Sequence, residues 1–163
     1  MNTLVVFASI HGCTKKCAQL VAKKIIGKTC VINLKTTDIN DLNNFSNIII
    51  GGSIHTGHIN PRIKLFFDKF LESLKNKNIG FFLCFMDSEN KFEEYIKKSM
   101  PAELLNSVKV KGYFGGELDF KKMTFFEKLY IQKTTHIKSS VSNINKSSIN
   151  DFCDKMNKFI GSN

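Results

Sequence analysis

The sequence predicts an α/β fold in which helices cover both faces of a parallel sheet. Segments of strand length alternate along the chain with segments of helical periodicity, which is typical of consecutive βα units. Three strand segments are nearly continuous apolar runs, as expected of strands buried on both faces: residues 3–8, 48–50 and 80–86. We therefore expect a five-stranded parallel sheet, doubly wound by helices, with an extra helix after the fifth strand.

The first half of the chain is predicted to contain three strands and two long helices. A strand over residues 3–8 leads into a helix over 14–26, closed by Gly27, and a second strand covers 30–34. A short helical turn over 39–45 precedes the third strand at 48–50 and a loop at 51–58. The dipeptide Asn60-Pro61 then places a cap and a first helical residue before a clear apolar stripe. That stripe consists of Ile63, Phe66, Phe67, Phe70, Leu71 and Leu74.

The second half is predicted to add two strands and several helices. The fourth strand covers 80–86, helical segments follow at 89–98 and 102–106, and a mostly extended segment runs over 108–118. Thr124 and Glu127 form a capping-box pattern that predicts a helix over 125–137. After a polar stretch at 139–148, a last helix buries its apolar face. That face is predicted to contain Ile149, Phe152, Cys153, Met156 and Phe159.

The length and composition fit one globular domain over residues 1–160. The chain has 163 residues, of which 42% are hydrophobic, and no apolar run approaches the roughly 18 residues that cross a bilayer. We find no signal-peptide pattern and expect a cytoplasmic protein. Five scattered cysteines favour reduced thiols over a disulfide framework.

The net charge of +10 bears on partners rather than on fold. It suits an anionic small-molecule substrate, an acidic redox protein or an anionic membrane, and it is equally consistent with a plain solvated lysine surface. Nucleic acid is not expected, because the chain has a single Arg and no strand with a basic and aromatic stacking platform.

The segment Ser9-Ile10-His11-Gly12-Cys13-Thr14 directly follows the first strand and predicts an anion pocket. Loop amides, hydroxyl groups and the dipole of the following helix all favour negative charge, so the expected ligand carries a phosphate. Lys15 and Lys16 in the first helical turn either approach that phosphate or extend into water. In open parallel sheets ligands bind at the carboxyl ends of the strands, which selects the loops 9–14, 51–58 and 86–90.

These features resemble the flavodoxin family, in which five such strands hold FMN. A narrower similarity is to the flavodoxin-like, menaquinone-dependent protoporphyrinogen IX dehydrogenases, whose third-strand loop has the pattern Gly-x-Ser-Ile-x-x-Gly-His. Here that loop reads Gly51-Gly52-Ser53-Ile54-His55-Thr56-Gly57-His58. The Gly-x-Leu that follows their fifth strand matches Gly116-Glu117-Leu118, which leads here into an aromatic and basic segment.

The resemblance implies FMN as the cofactor and assigns residues to its parts. The phosphate would be held by Ser9, Ile10, His11, Gly12, Cys13 and Thr14. One side of the ring would contact Ser53, Ile54, His55, Thr56, Gly57 and His58, and the other Met86, Asp87 and Ser88. The sequence also departs from the family: the chain is basic, it lacks Trp, and neither ring-facing loop has a Tyr.

No residue of the chain is predicted to act as a catalytic acid or base, since the flavin would carry the chemistry. A metal site is not expected either. His11, His55 and His58 have no carboxylate in their loops, and Cys13 and Cys17 have no second ligand pair at a suitable spacing.

The leading functional expectation is an FMN-dependent oxidoreductase, and by resemblance its substrate would be protoporphyrinogen IX with a quinone acceptor. The alternative is a small electron-transfer protein that serves acidic redox partners. A third possibility is a binding protein without redox chemistry. The segment 120–138 is read in three ways: a lid over the site, a contact with anionic lipid, or ordinary packing with a solvated lysine face.

Overall fold

The computed structural model describes residues 2–161, and its strands and helices alternate as the sequence predicts. In chain order the elements are β1 (Asn2–Phe7), α1 (Cys13–Lys24), β2 (Lys28–Asn33), β3 (Asn47–His55), β4 (His58–Ile59), α2 (Pro61–Leu74), β5 (Asn78–Cys84), α3 (Phe92–Ser99), β6 (Val108–Tyr113), β7 (Glu117–Leu118), α4 (Phe125–Thr135), β8 (Val141–Ser142) and α5 (Lys146–Gly161). Short 3₁₀ turns lie at Glu89–Lys91, Ala102–Leu104 and Phe120–Lys122.

The five long strands form one parallel sheet in the order β2-β1-β3-β5-β6. The chain leaves β1 toward one edge, through β2, and then crosses back to build the other edge from β3 onward. This reversal makes the carboxyl ends of β1 and β3 the topological switch point, where ligands bind in open α/β sheets. The predicted five-stranded, doubly wound parallel sheet is confirmed.

Alternate residues of each strand face two separate cores. On one side Val6, Ile50 and Phe81 pack with α2 and α3, and on the other Val5, Ile49 and Phe82 pack with α1 and α5. All six side chains are fully buried. Strands covered on both faces need apolar residues at every position, which is why these segments read as continuous hydrophobic runs.

Two local sequence rules are confirmed at the helix ends. Asn60 accepts a hydrogen bond from the Arg62 backbone N–H, and Pro61 is the first residue of α2. Thr124 and Glu127 form the full capping box at the start of α4. Each rule depends only on groups within one turn, so the sequence is sufficient to predict both.

The helical turn predicted over residues 39–45 is wrong. Residues 38–42 have no regular structure, although Ile39 and Leu42 are buried in the core. The backbone finds partners outside a helix: Lys69 Nζ donates to the Ile39 carbonyl at 2.6 Å, and the Asn43 N–H donates to Asp41 Oδ1 at 2.9 Å. Burial of two side chains therefore fixes the segment without helical hydrogen bonds.

The loop predicted over residues 51–58 is mostly strand. β3 continues to His55, and a hairpin turn at Thr56-Gly57, both with positive φ, joins it to the antiparallel strand β4. Gly51 and Gly52 continue the strand through pairing, Gly51 with β1 and β5 and Gly52 with β5. Neither position has room for a side chain, because the Phe82 ring and the Ile59 side chain occupy the space of a Cβ.

Two further details near the end of the chain differ from prediction. The extended segment 108–118 is interrupted after Tyr113, and β7 pairs with the unpredicted strand β8 in a separate two-stranded sheet. In α5, Ile160 is buried whereas Phe159 is 39% exposed. Across residues 2–161 every helix is too short or too polar to cross a bilayer.

Candidate functional site

A cavity of about 800 Å³ opens at the carboxyl ends of β1, β3 and β5. Its walls come from the three segments that follow these strands, together with residues 116–118, and residues of α4 form its roof. The volume lies within the range of pockets that hold small molecules and cofactors. The position agrees with the rule that places ligands at the switch point of such sheets.

The floor of the cavity is the loop between β1 and α1. Gly12 has φ 101° and immediately precedes α1, and its backbone N–H donates to Ser9 Oγ at 3.0 Å. Only a residue without a Cβ adopts this left-handed conformation easily. The turn brings the loop together with the amino end of a twelve-residue helix, an arrangement that favours an anion.

A lysine from a distant part of the chain reaches this loop. A Cβ placed on Gly12 would lie 3.3 Å from Lys122 Nζ, which also pairs with Asp119 Oδ2 at 3.1 Å. Lys16 instead pairs with the largely buried Glu117 carboxylate, with 2.6 Å between Lys16 Nζ and Glu117 Oε1. Lys122 is therefore a cation beside the loop that the sequence did not indicate.

Ser53 provides an unpaired polar group at the cavity. Its hydroxyl is buried, lines the cavity, and has no hydrogen-bond partner among the residues that the structure describes. A buried hydroxyl without a partner costs about 1–3 kcal/mol. A bound molecule with a polar edge at this position would remove that cost.

The β3–β4 hairpin forms one wall. The rings of His11 and His55 meet edge to face, with centroids 6.1 Å apart. Burial lowers the pKa of His55, and the neighbouring His11 lowers it further. A lowered pKa favours the neutral imidazole at neutral pH, so His55 offers a hydrogen-bonding group rather than a fixed cation.

The segment after β5 forms the opposite wall. Asp87 Oδ2 accepts hydrogen bonds from Lys91 Nζ at 2.7 Å and from the Tyr95 hydroxyl at 2.8 Å. The Lys91 ammonium above all, and then the Tyr95 hydroxyl, lower the pKa of Asp87 to about 2. This carboxylate is thereby held ionised and fixed in orientation, and Tyr95 places a buried ring at the cavity wall.

Helix α4 closes the cavity from above. Phe126, Tyr130 and Ile131 face the cavity, although Phe126 remains 81% exposed and Tyr130 54% exposed. Glu127 Oε1 lies 3.3 Å from His11 Nε2, so the roof contacts the floor directly. The Thr124 backbone N–H and then its hydroxyl lower the pKa of Glu127. The Glu127 carboxylate in this contact is therefore ionised at neutral pH.

Most of the residues predicted for the site lie together around this cavity. The lining includes Ser9, Ile10, His11, Cys13, Thr14, Ser53, Ile54, His55, Thr56, Gly57, Met86 and Asp87. Three others lie beside it rather than in its lining. Gly12 shapes the floor, His58 Nδ1 contacts the Thr56 carbonyl at 2.9 Å, and Ser88 Oγ accepts from the Asn90 N–H.

Sequence reasoning missed Tyr95, whereas the lid reading of the segment 120–138 already included Phe126 and Tyr130. It found no Tyr in the ring-facing loops, whereas the fold supplies Tyr95 from α3 and Tyr130 from α4. Cys84 and Phe85 were also missed, although they directly precede Met86 at the end of β5. The one available signal for the roof was the aromatic and basic segment after Gly116-Glu117-Leu118.

Comparison with known proteins identifies the class. A sequence model of the family described as "Flavodoxin domain" matches residues 4–144, and the chain belongs to this family. No curated protein matches the chain. The narrower relation to protoporphyrinogen dehydrogenases thus keeps the status of a resemblance.

Three solved structures illustrate the likeness in fold. The flavodoxin of Streptococcus pneumonia TIGR4 is 15% identical with a TM-score of 0.56, covering 98% of this chain and 99% of that one. A flavodoxin, WrbA-like protein from Agrobacterium tumefaciens is 15% identical with a TM-score of 0.58, covering 99% and 96%. Rubredoxin oxygen:oxidoreductase from Desulfovibrio gigas is 14% identical with a TM-score of 0.59 over 99% of this chain. The chain spans only 36% of that last protein.

Membership of this family implies a flavin cofactor, usually FMN. The residues present fit such a group. The loop at Gly12 and the nearby Lys122 ammonium suit a phosphate, and the unpaired Ser53 hydroxyl suits a polar ring edge. The apolar and aromatic residues of the roof and walls suit a flat ring system.

Proposed function

We propose that this protein is an FMN-dependent oxidoreductase whose substrate enters beneath α4. The observation that carries the proposal is the shape of the cavity. It joins an anion-binding floor to an apolar roof and has a volume of about 800 Å³. The roof helix adds an apolar surface beside the cofactor site that a substrate would contact, and a plain electron carrier does not need such a surface.

The chain's own groups would bind and orient FMN. The floor loop from Ser9 to Thr14 would hold the phosphate with backbone amides, and Lys122 would balance its charge. Ser53 and the neutral His55 would hydrogen-bond to the ring edge, and Phe126 and Tyr130 would exclude water from above. Bound FMN supplies the electron and hydride chemistry, and the protein supplies its position and electrostatics.

The resemblance in the third-strand loop suggests protoporphyrinogen IX as the substrate and a quinone as the acceptor. Two features support this assignment: the apolar roof suits a large flat molecule, and the net charge of +10 suits carboxylate groups. The competing function is electron transfer to acidic redox proteins, which the same charge also favours. Cofactor, substrate and acceptor all belong to the proposal.

Reconstitution followed by turnover distinguishes these functions. We expect the purified chain to retain FMN, to be reduced in one two-electron step, and to oxidise protoporphyrinogen IX when a quinone is supplied. A protein that binds FMN, is reduced in two separate one-electron steps and gives no porphyrin would be an electron carrier. A matched control is Gly161→Ala, at the end of α5, which should keep the activity of the unchanged chain.

We further propose that the amino-terminal end of α4, at the mouth of the cavity, lies on an anionic membrane. Phe125 is 69% exposed and Phe126 is 81% exposed at the mouth of the cavity. Nearby basic residues are Lys121, Lys122, Lys128, Lys133 and Lys138. Exposed aromatic rings among cations are typical of peripheral lipid contacts, and lipid at the mouth would give a lipid-soluble quinone access to the cavity.

Vesicle sedimentation tests the membrane contact. We expect the protein to pellet with vesicles that contain phosphatidylserine and to remain in solution with neutral vesicles. Phe125→Ser should reduce pelleting, while Leu65→Ser, at another exposed apolar position on α2, should not. Equal pelleting by the Phe125→Ser variant would reject the proposal, and dimerisation through α4 without lipid would assign this face to a second copy.

A further inference from the structure

Three of the five cysteines meet in the fold, although Cys84 is far from Cys13 and Cys17 in the sequence. The sulfur atoms of Cys13, Cys17 and Cys84 all lie within 4.8 Å of one another. Cys13 and Cys17 occupy one face of α1 on successive turns, and Cys84 is the last residue of β5 on the sheet face that α1 covers. Sequence spacing could not show this cluster, because the third sulfur comes from β5, which is far from α1 along the chain.

The three cysteines of the cluster differ in burial. Cys17 is fully buried and Cys84 is 3% exposed, whereas Cys13 is half-buried. Both Cys13 and Cys84 line the cavity. All five cysteines of the chain are free thiols, so these sulfur atoms are available as ligands.

We propose that Cys13, Cys17 and Cys84 form a binding site for a thiophilic d¹⁰ metal ion, with zinc and copper(I) as the physiological class. Thiolate ligands select such ions over hard cations. With metal–sulfur bonds of about 2.3 Å, three sulfur ligands lie about 4 Å apart, so a small side-chain adjustment would suffice here. A fourth ligand could enter from the cavity, as in zinc sites that keep one open position.

The amino end of α1 favours negative charge at one of the three sulfur atoms. Cys13 is the first residue of α1, where the helix dipole stabilises anions. Binding would release the three thiol protons to solvent, and no electron transfer is required.

The site does not depend on FMN, and the test keeps the two questions separate. The full-length protein is reduced, freed of flavin under anaerobic conditions and titrated with Cd²⁺ alone as the probe. We expect one Cd²⁺ per chain, seen by sulfur-to-metal charge-transfer absorption and by elemental analysis of the desalted protein. Protein loaded first with Zn²⁺ should gain the same absorption as Cd²⁺, the softer ion, displaces the zinc. FMN binding is measured separately on the same preparation, so its failure would leave this result intact.

Serine variants assign the ligands. Cys17→Ser and Cys84→Ser should each weaken Cd²⁺ binding by at least about 10-fold, whereas Cys30→Ser and Cys153→Ser should not. Far-ultraviolet circular dichroism checks the fold, and Cys13→Ser, at the least buried ligand, replaces any variant that does not fold. Unchanged binding after loss of these thiols, or no Cd²⁺ retained by the reduced unchanged chain, would overturn the proposal.

Discussion

His11 Nε2 lies 3.3 Å from Glu127 Oε1, so the first loop of the sheet is joined directly to the helix that covers the cavity. His11 lies in the loop after β1 and Glu127 lies in α4, so the two residues are far apart in the sequence. Their contact makes α4 part of the site rather than an appendage after the fifth strand. Opening the cavity requires this contact to break.

Glu127→Gln should weaken the closure of α4. The variant keeps an oxygen for the capping box with Thr124 but loses the charge opposite His11. We expect FMN to dissociate about 1.4- to 5-fold faster, which corresponds to the roughly 0.2–1 kcal/mol typical of a charged contact near the surface. Stopped-flow flavin fluorescence measures the rate. Glu72→Gln, which removes a pair with Lys75 on α2, is the control and should leave the rate unchanged.

Ser53→Ala should change cofactor affinity and protein stability in opposite directions. Removing an unpaired buried hydroxyl should leave the flavin-free protein as stable or slightly more stable. Loss of one hydrogen bond to the ring should weaken FMN binding by roughly 2- to 12-fold. Fluorescence titration and urea unfolding give the two quantities.

Thr29→Val provides the matched control for Ser53. Its hydroxyl is also buried without a partner among the described residues, but it lies on β2, away from the cavity. This variant should leave FMN affinity unchanged. If Ser53→Ala binds FMN as tightly as the unchanged chain, the hydroxyl does not contact the cofactor.

Gly51→Ala should destabilise the fold by about 1–3 kcal/mol or more, because the new Cβ would overlap the Phe82 ring in the core. Urea unfolding with a constant m value measures the loss. At Gly161, near the end of α5, an added Cβ would meet Ile26 Cδ1 at an ordinary 3.7 Å. Gly161→Ala should therefore change stability by no more than about 0.5 kcal/mol. Equal effects of the two substitutions would contradict the strand assignment of residues 51–52.

Acid should remove the contribution of Asp87 to stability. Its pKa in the folded protein, about 2, is below the ordinary value of 3.8, so the carboxylate stabilises the fold above that value. The contribution is lost as the pH falls from about 4 to about 2. Asp87→Asn should lower the melting temperature at pH 7 and have a smaller effect near pH 2. Lys91→Met removes the main cause of the lowered pKa of Asp87. This variant should also make the stability of the fold depend less on pH between about 4 and about 2.

The sequence was sufficient where structure depends on neighbouring residues. The caps at Asn60 and Thr124 and the apolar runs of the central strands gave the fold class, and the loop after β1 gave the floor of the site. The sequence was insufficient where contacts between residues far apart along the chain determine the structure. Gly51 and Gly52 suggested a loop, but pairing with β1 and β5 makes them strand. The positions of Lys122 beside Gly12 and of Cys84 beside Cys13 arise only from tertiary packing.

The central claim is that the cavity beneath α4 holds FMN, and the visible absorption spectrum tests it most directly. The purified protein is measured before and after addition of FMN and desalting. The account predicts a retained flavin spectrum at one FMN per chain, weakened in Ser53→Ala and unchanged in Thr29→Val. A protein that retains no flavin, even after incubation with excess FMN, would contradict the proposed redox function while leaving the fold assignment intact.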